Sequence, residues 1–391
     1  MKVIFNKTEI CEAVVPLMSG VSSKVTLAAA EGILIQAKAP DQCVMTTYDL
    51  EKGVRVTVNA QVIEEGECII SAGKFSQTVK AMEDGDIILT VDDRLTATIL
   101  CGKSSHTMSA LRASDFPEIP RLTSPNGFTV PQKTVKTMMS KCLYAMGVND
   151  QRPVLNGLFV NIAGSHMDMV SCDSFKMAVC GTEAELTSFA EDGQTGINTK
   201  FILPNKSVNE LFKLLDDKND EAAVTIFMSR KNIVFVTENV TFFSKLIEGE
   251  YVDYNRILVK NHRIVMYAGR DSLINALERA ALITEEKVAG AVRSHVKLTL
   301  EGEMLKITAQ SGAGSSYDEL RVAHDGDDIV IGFNNRYLLD SLRACRADTV
   351  KISMTSPRMA IHIEPAESET EGEDKSFEHD LFFLLPIRMQ D

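Results

Sequence analysis

Arg152-Pro-Val-Leu-Asn-Gly-Leu-Phe-Val-Asn-Ile162 and Met167-Asp-Met-Val-Ser-Cys-Asp-Ser-Phe-Lys-Met177, joined across Gly164-Ser165, are the stretches that decide the fold class. Apolar and polar residues alternate in both, and a period of two marks strands with one buried face. The Gly-Ser turn between them predicts a β-hairpin. The short link Asp173-Ser174 leads into a further strand and extends the hairpin to a meander. The local architecture is therefore antiparallel.

Working outward, this meander sits inside a pattern that occurs three times. Residues 1–111 read as strand, helix 7–19, four strands, a helix opening at Ser71-Ala-Gly73-Lys74, and three strands. Pro16 should kink or shorten the first helix. After the polar linker Thr123-Ser-Pro-Asn-Gly127 the order restarts, with helix 131–146 taking Pro131 at its first position. A second helix follows over 204–215. A third copy starts with strand 263–268, has helices over 270–283 and 335–346, and closes with a strand over 381–388. Residue correspondences support the repeat. Lys74, Lys206 and Arg336 each stand at the opening of a second helix, and Met45-Thr-Thr-Tyr-Asp49 matches Met169-Val-Ser-Cys-Asp173. The reading is an α+β chain of three like domains, 1–122, 127–253 and 254–391, the last interrupted by an acidic insertion over 365–380 expected to be disordered.

Composition narrows the function classes. A hydrophobic share of 45% and a charged share of 24% are those of an ordinary globular chain. No apolar run approaches the roughly 18 residues of a membrane span, and Met-Lys-Val-Ile-Phe-Asn is no signal peptide, so a cytoplasmic protein without membrane partners is expected. The 8 cysteines include no Cys-x-x-Cys and read as reduced, mostly buried thiols. Scattered histidines offer no metal site, and no cofactor is implied. Ser71-Ala-Gly73-Lys74 lacks the spacing of a phosphate loop and reads as a helix start. Ser311-Gly-Ala-Gly-Ser-Ser316 reads as a strand connection, with a phosphate nest left open. No nucleophile stands with a base, so no catalytic residue is assigned.

The net charge of −13 speaks against a nucleic-acid partner only on average. The six helical segments hold 13 Lys or Arg against 6 Asp or Glu, so the helices are basic in an acidic chain. Either they display solvated lysines, or they line a surface meant for phosphates.

Four motifs bear a resemblance to the bacterial DNA polymerase III beta subunit family, the sliding clamps. They are Arg152-Pro153-Val154-Leu155-Asn156-Gly157, Cys172-Asp173-Ser174-Phe175-Lys176-Met177, Ser114-Asp115-Phe116-Pro117-Glu118-Ile119-Pro120 and Leu385-Pro386-Ile387-Arg388-Met389. The resemblance implies a head-to-tail homodimeric ring, with helices inside and antiparallel sheets outside. It would encircle duplex DNA without reading its sequence and tether the replicative polymerase, performing no chemistry itself. The clamp loader and other replication and repair proteins carrying clamp-binding motifs would share one hydrophobic pocket. Carried onto this chain, that pocket takes Leu155, Cys172, Ser174, Phe175, Lys176, Met177, Val252, Arg256, Ile257, Phe383, Leu385, Pro386, Ile387, Arg388 and Met389. DNA would meet Lys24, Lys74, Lys136, Asn149, Gln151, Arg152, Lys206 and Arg336, and the dimer seam would join His106 and Met108 to Leu282 and Ile283. The chain departs from the family pattern at Ser174-Phe175 (usually Gly-His), at Val252 (usually proline) and at Lys24-Val25 (usually Arg-Pro). The alternative is a three-repeat peptide-binding scaffold that binds no DNA.

Overall fold

A computed structural model describes all residues except 22–26, 121–126, 190–196, 259–260, 285, 289–290, 367–379 and 389–391. The first repeat comprises β1 (Lys2–Asn6), α1 (Lys7–Leu17), β2 (Gly32–Lys38), β3 (Gln42–Tyr48), β4 (Lys52–Asn59), β5 (Gln61–Glu64), β6 (Gly66–Ser71), α2 (Ala72–Ala81), β7 (Asp86–Val91), β8 (Thr96–Cys101) and β9 (Ser104–Leu111). The second has β10 (Gly127–Pro131), α3 (Gln132–Cys142), β11 (Gly157–Ala163), β12 (His166–Cys172), β13 (Lys176–Glu183), β14 (Thr187–Phe189), β15 (Asn198–Pro204), α4 (Asn205–Leu214), β16 (Ala223–Met228), β17 (Asn232–Val236) and β18 (Val240–Lys245). The third opens with β19 (Ile264–Gly269), α5 (Arg270–Thr284), β20 (Glu286–Val288), β21 (Ala291–Arg293), β22 (His295–Glu301), β23 (Met304–Ser311) and β24 (Gly314–Arg321). It continues through β25 (Ala323–Asp325), β26 (Ile329–Asn334), α6 (Asn335–Ala344), β27 (Thr349–Met354), β28 (Ile361–Pro365) and β29 (Leu381–Leu384).

The chain packs as two compact units that divide the middle repeat between them. One holds Met1–Gln132, Leu186–Thr195 and Lys213–Leu246, the other Lys133–Glu185, Gly196–Phe212 and Ile247–Asp391. In the first unit the strand order is β14-β10-β16-β17-β18-β4-β3-β2-β6-β9-β8-β7-β1-β5. In the second, one sheet runs β15-β11-β12-β13-β29-β28-β27-β19-β25 and another β24-β23-β22-β26. The last strand of the second repeat pairs with β4 of the first, and the last strand of the third with β13 of the second.

The helices show why these segments fold as they do. Ala72, Phe75, Ser76 and Val79 of α2 are buried at helical spacing, as are Ser207, Val208 and Leu211 of α4 and Leu338, Leu339 and Leu342 of α6. One apolar stripe covers a sheet while the charged residues stay outside. Asn6 caps α1 and Asn334 caps α6 by accepting the first backbone N–H groups.

The repeat extends to individual hydrogen bonds. Thr47 Oγ1 donates to Leu17 O at 2.7 Å, Ser171 Oγ to Cys142 O at 2.7 Å, and Ser311 Oγ to Ile283 O at 2.7 Å. In each copy a strand hydroxyl satisfies a carbonyl at the end of the first helix, a group that helix geometry leaves without a partner. The turns after the matching segments also agree. Asp49 Oδ1 accepts the N–H groups of Glu51 and Lys52, and Asp173 Oδ1 those of Phe175 and Lys176.

Several expectations need correction. Pro131 is the last residue of β10, paired with Ala223, and the helix starts one residue later; its missing N–H suits a strand end as well as a helix start. The first helix ends at Leu17, two residues short of 19, as Pro16 allows, and passes into a 3-10 turn. The final strand stops at Leu384, well short of 388. Strands β5 and β14 were hidden because three or four residues carry too little periodicity to read. The ends of the acidic insertion are ordered: Pro365 pairs with Val350 in the sheet, and Asp380 is buried against Lys141 at 2.6 Å. A charge that finds a buried counter-charge need not stay in water. The interior of that insertion lies outside the described residues.

Candidate functional site

The second unit gathers three of the expected pocket residues, Cys172, Met177 and Phe383, on one sheet face. Strand register sets this up: Cys172 stands opposite Met177, Met177 opposite Phe383, and Phe383 opposite His362. Residues directly opposite one another point to the same face. Val170, Met177, Ala360 and Phe383 form a buried apolar cluster, and Phe159, Cys172, Val179, Tyr251, Tyr254 and Leu258 pack against it while remaining partly exposed. The Phe159 and Tyr251 rings stack at 4.9 Å.

The turn between β12 and β13 is tightly organised. Lys176 is buried, ion-paired with Asp173 and lying 4.5 Å from the centroid of the Tyr337 ring on α6. Phe175 projects outward, 55% exposed, with its ring 6.1 Å from Tyr337. Burial, then the neighbouring Asp173, push the Cys172 thiol up to about 11, so it is a packing group and no nucleophile. Burial likewise raises the Asp340 carboxyl, with Arg336, Arg343 and Lys176 pulling it back.

The C-terminal segment crosses this turn. Leu385 N–H donates to Phe175 O at 2.9 Å, and Ile387 N–H donates to Gly332 O at 2.9 Å, bridging to the other sheet of the third repeat. Leu385 is exposed and Pro386 and Ile387 half-buried. Arg388 is exposed, and Met389 lies outside the described residues.

The remaining pocket candidates divide. Leu155 is fully buried, with its carbonyl bound to Gly147 N–H, and Ser174 is exposed. Val252 is half-buried, Ile257 is 42% exposed, and the exposed Arg256 pairs with Asp253 at 2.8 Å. Sequence reasoning chose these three and passed over Tyr251, Tyr254 and Leu258 of the same segment, which carry the packing. Their spacing of three and four residues was the available signal. Val170 shares the face of Cys172 by strand alternation; Ala360 and His362 had no signal, since only register brings them in.

The DNA candidates occupy varied settings. In the first unit Lys74 is exposed near the start of α2, and Lys24 lies outside the described residues. In the second unit Lys206 and Arg336 are exposed, and Lys136 lies 5.5 Å from the Phe212 ring centroid. Asn149 and Gln151 are exposed, Asn149 in the left-handed region at φ 57°. Arg152 is exposed but bonded to its own chain, donating to Asp150 Oδ1 at 3.1 Å and to Ser174 Oγ at 3.0 Å. Its bonds to Asp150 hold that carboxyl below its ordinary value.

Of the seam candidates, His106 is exposed and Met108 half-buried on β9. That strand meets β6 only through Ala110 and Leu111, so from Ser104 to Ser109 one of its edges is open. Leu282 is 83% exposed and Ile283 half-buried near the end of α5. Among the described residues no group of three or more His, Cys, Asp or Glu could hold a metal, and no helix is long and apolar enough to cross a membrane. All 8 cysteines are unpaired thiols, six of them buried.

Family models of the DNA polymerase III beta subunit match along the chain: the N-terminal domain over residues 1–120, the central domain over 129–253 and the C-terminal domain over 255–374. The beta sliding clamp of Salmonella typhimurium is 31% identical over 347 residues, covering 88% of this chain and 87% of its own length. That of Proteus mirabilis is 29% identical over 393 residues, covering 100% of both. Among solved structures, the DNA polymerase sliding clamp of Bacillus subtilis superposes with a TM-score of 0.89 at 22% identity, covering 100% of both chains. The Pseudomonas aeruginosa clamp, solved with griselimycin bound, gives 0.86 at 24% identity, again over 100% of both. Three repeated α+β domains, their strand joins and these matches lead to one conclusion: the chain belongs to the DNA polymerase III beta subunit family, the bacterial beta sliding clamps.

Proposed function

We propose that two copies of this chain close head to tail into a ring that encircles duplex DNA and tethers the replicative polymerase as its processivity factor. The observation that carries this reading is the strand join. Twice within the chain, the last strand of one repeat pairs with the third strand after the first helix of the repeat before it: β18 with β4, and β29 with β13. Among the described residues, β9 of the first repeat and β24 of the third, which pairs only with β23, are left without such a join. One copy's β9 can pair with another's β24 by the same rule, and a head-to-tail contact that closes makes a ring. His106 and Met108 lie on the first of these edges. Leu282 and Ile283 stand at the end of α5, which packs against β24 and holds it through Arg279 and Asp318. The domains of this reading are 1–122, 127–253 and 254–391.

In this reading Lys24, Lys74, Lys136, Asn149, Gln151, Lys206 and Arg336 face phosphates along the hole. Arg152 contributes less, because Asp150 already neutralises it. The apolar cluster of the second unit, with the 172–177 turn, the 251–258 segment and the 385–388 tail, takes short peptides from the polymerase, the clamp loader and other replication and repair proteins. Tethering raises the polymerase's effective concentration at the primer end without any chemistry by the clamp itself. Native mass and retention on nicked-circular against linear DNA test the reading. A dimer retained on circles and lost from linear ends is expected. A monomer that binds peptides but no circle would establish the scaffold alternative instead.

A further inference from the structure

Next to the apolar cluster lies a histidine pair. His362 Nδ1 and His262 Nε2 are 3.0 Å apart, with the rings edge to face at 67°. His362 is on β28, 6% exposed, directly opposite Phe383, and its ring lies 5.9 Å from that of Phe383. Ala360, two residues earlier on the same face, belongs to the cluster itself. His262 precedes β19 and is half-buried, with its Nδ1 3.4 Å from Thr355 Oγ1. We infer that His362 is a positioning residue for the peptide site: His262 holds its ring by one hydrogen bond, and the held ring fixes Phe383 as the wall of the pocket.

Proton counting shows why the pair is a restraint. The two facing nitrogens share one proton. His362 Nε2 is buried with no hydrogen-bond partner. A buried acceptor without a partner costs less than a buried N–H without one, so Nδ1–H of His362 donates and Nε2 is left bare. A second proton on the pair has two places to go. It either puts an N–H on the buried Nε2 or sets two N–H groups face to face and opens the contact. Burial, then His262 and Lys351, push the His362 ring down to about 4. The charged groups on the surrounding elements match one another: Lys351 on β27 with Glu364 on β28 at 3.5 Å, and Asp253 with Arg256 in the 251–258 segment at 2.8 Å. β29 offers only Leu381, Phe382, Phe383 and Leu384.

This inference rests on the pocket proposed above. Its test is the affinity of the full-length protein for a capped peptide with a Gln-Leu-Phe core, labelled with a rhodamine that does not titrate. His262→Ala and His362→Leu should each weaken binding about 5- to 10-fold, as the loss of one structural hydrogen bond allows. His362→Gln, whose amide can still donate to His262, should stay within about 3-fold of wild type. Equal affinities for wild type, His262→Ala and His362→Leu overturn the positioning role. No peptide binding by wild type overturns the pocket itself, and the positioning role falls with it.

Discussion

Lys176 carries a full charge into an apolar wall, and the residue scale shows how. Its ammonium meets the Asp173 carboxylate and the face of Tyr337, and Asp173 also ties the turn by accepting two backbone N–H groups. Breaking a buried pair from one side costs about 3–5 kcal/mol, since the remaining charge keeps its desolvation penalty. Asp173→Asn should therefore lose hydrogen-exchange protection in β12 and β13, while the matching Asp49–Lys52 turn of the first unit keeps its own. Uniform protection across the second unit would contradict this. Lys141 and Asp380 make a second such pair, 4% and 0% exposed. Burial raises the Asp380 carboxyl above its ordinary value and Lys141 pulls it back. Asp380→Leu alone should destabilise the second unit by about 3–5 kcal/mol, and adding Lys141→Met should restore most of that. A double mutant as unstable as the single would mean that the unpaired Lys141 charge is not what destabilises the single variant.

Elements decide what the site can grip. β29 ends at Leu384, and Pro386 has no N–H for a ladder, so the tail leaves the sheet and reaches Gly332 through Ile387. Deleting residues 385–391 removes roughly three apolar side chains, each contributing on the order of 1.5–3 kcal/mol if fully covered by a peptide. Peptide affinity should fall by at least ~100-fold in fluorescence polarisation while the dimer persists. Unchanged affinity in the truncated protein would remove the tail from the site. At the other candidate contact, Leu282 is exposed near the end of α5, a helix that packs against β24. Leu282→Lys with Ile283→Lys would bury unpaired charge at a seam, a cost of several kcal/mol. Sedimentation of this variant as a folded monomer is expected; a stable dimer places the seam elsewhere.

At the scale of the whole molecule, an acidic chain of net charge −13 holds DNA only if its basic residues act together. Each phosphate neutralised contributes about 0.9 to the slope of log affinity against log salt. Reversing Lys74, Lys136, Lys206 and Arg336 together should flatten that slope by about 3–4 per chain on nicked circles. A slope equal to wild type would mean that these side chains face elsewhere.

By itself the sequence determined the repeat, the α+β class and the order of the major elements, because helix and strand periodicities are local properties of ten or so residues. It also marked Met177 and Phe383, which both take their places in the apolar cluster. Tertiary structure alone decided which residues became neighbours. A strand's alternation says which face is buried and is silent on which strand lies alongside. Only the register Cys172–Met177–Phe383–His362 reveals that His362 belongs with residues far from it in the chain. The same limit hid the burial of Asp380, whose partner Lys141 sits on a helix of another repeat. It hid the bonding of Arg152 to Asp150 and Ser174 as well. Charges are read from sequence as solvated until a structure supplies the counter-charge, and strand edges as equivalent until pairing shows which of them, such as that of β24, stay open.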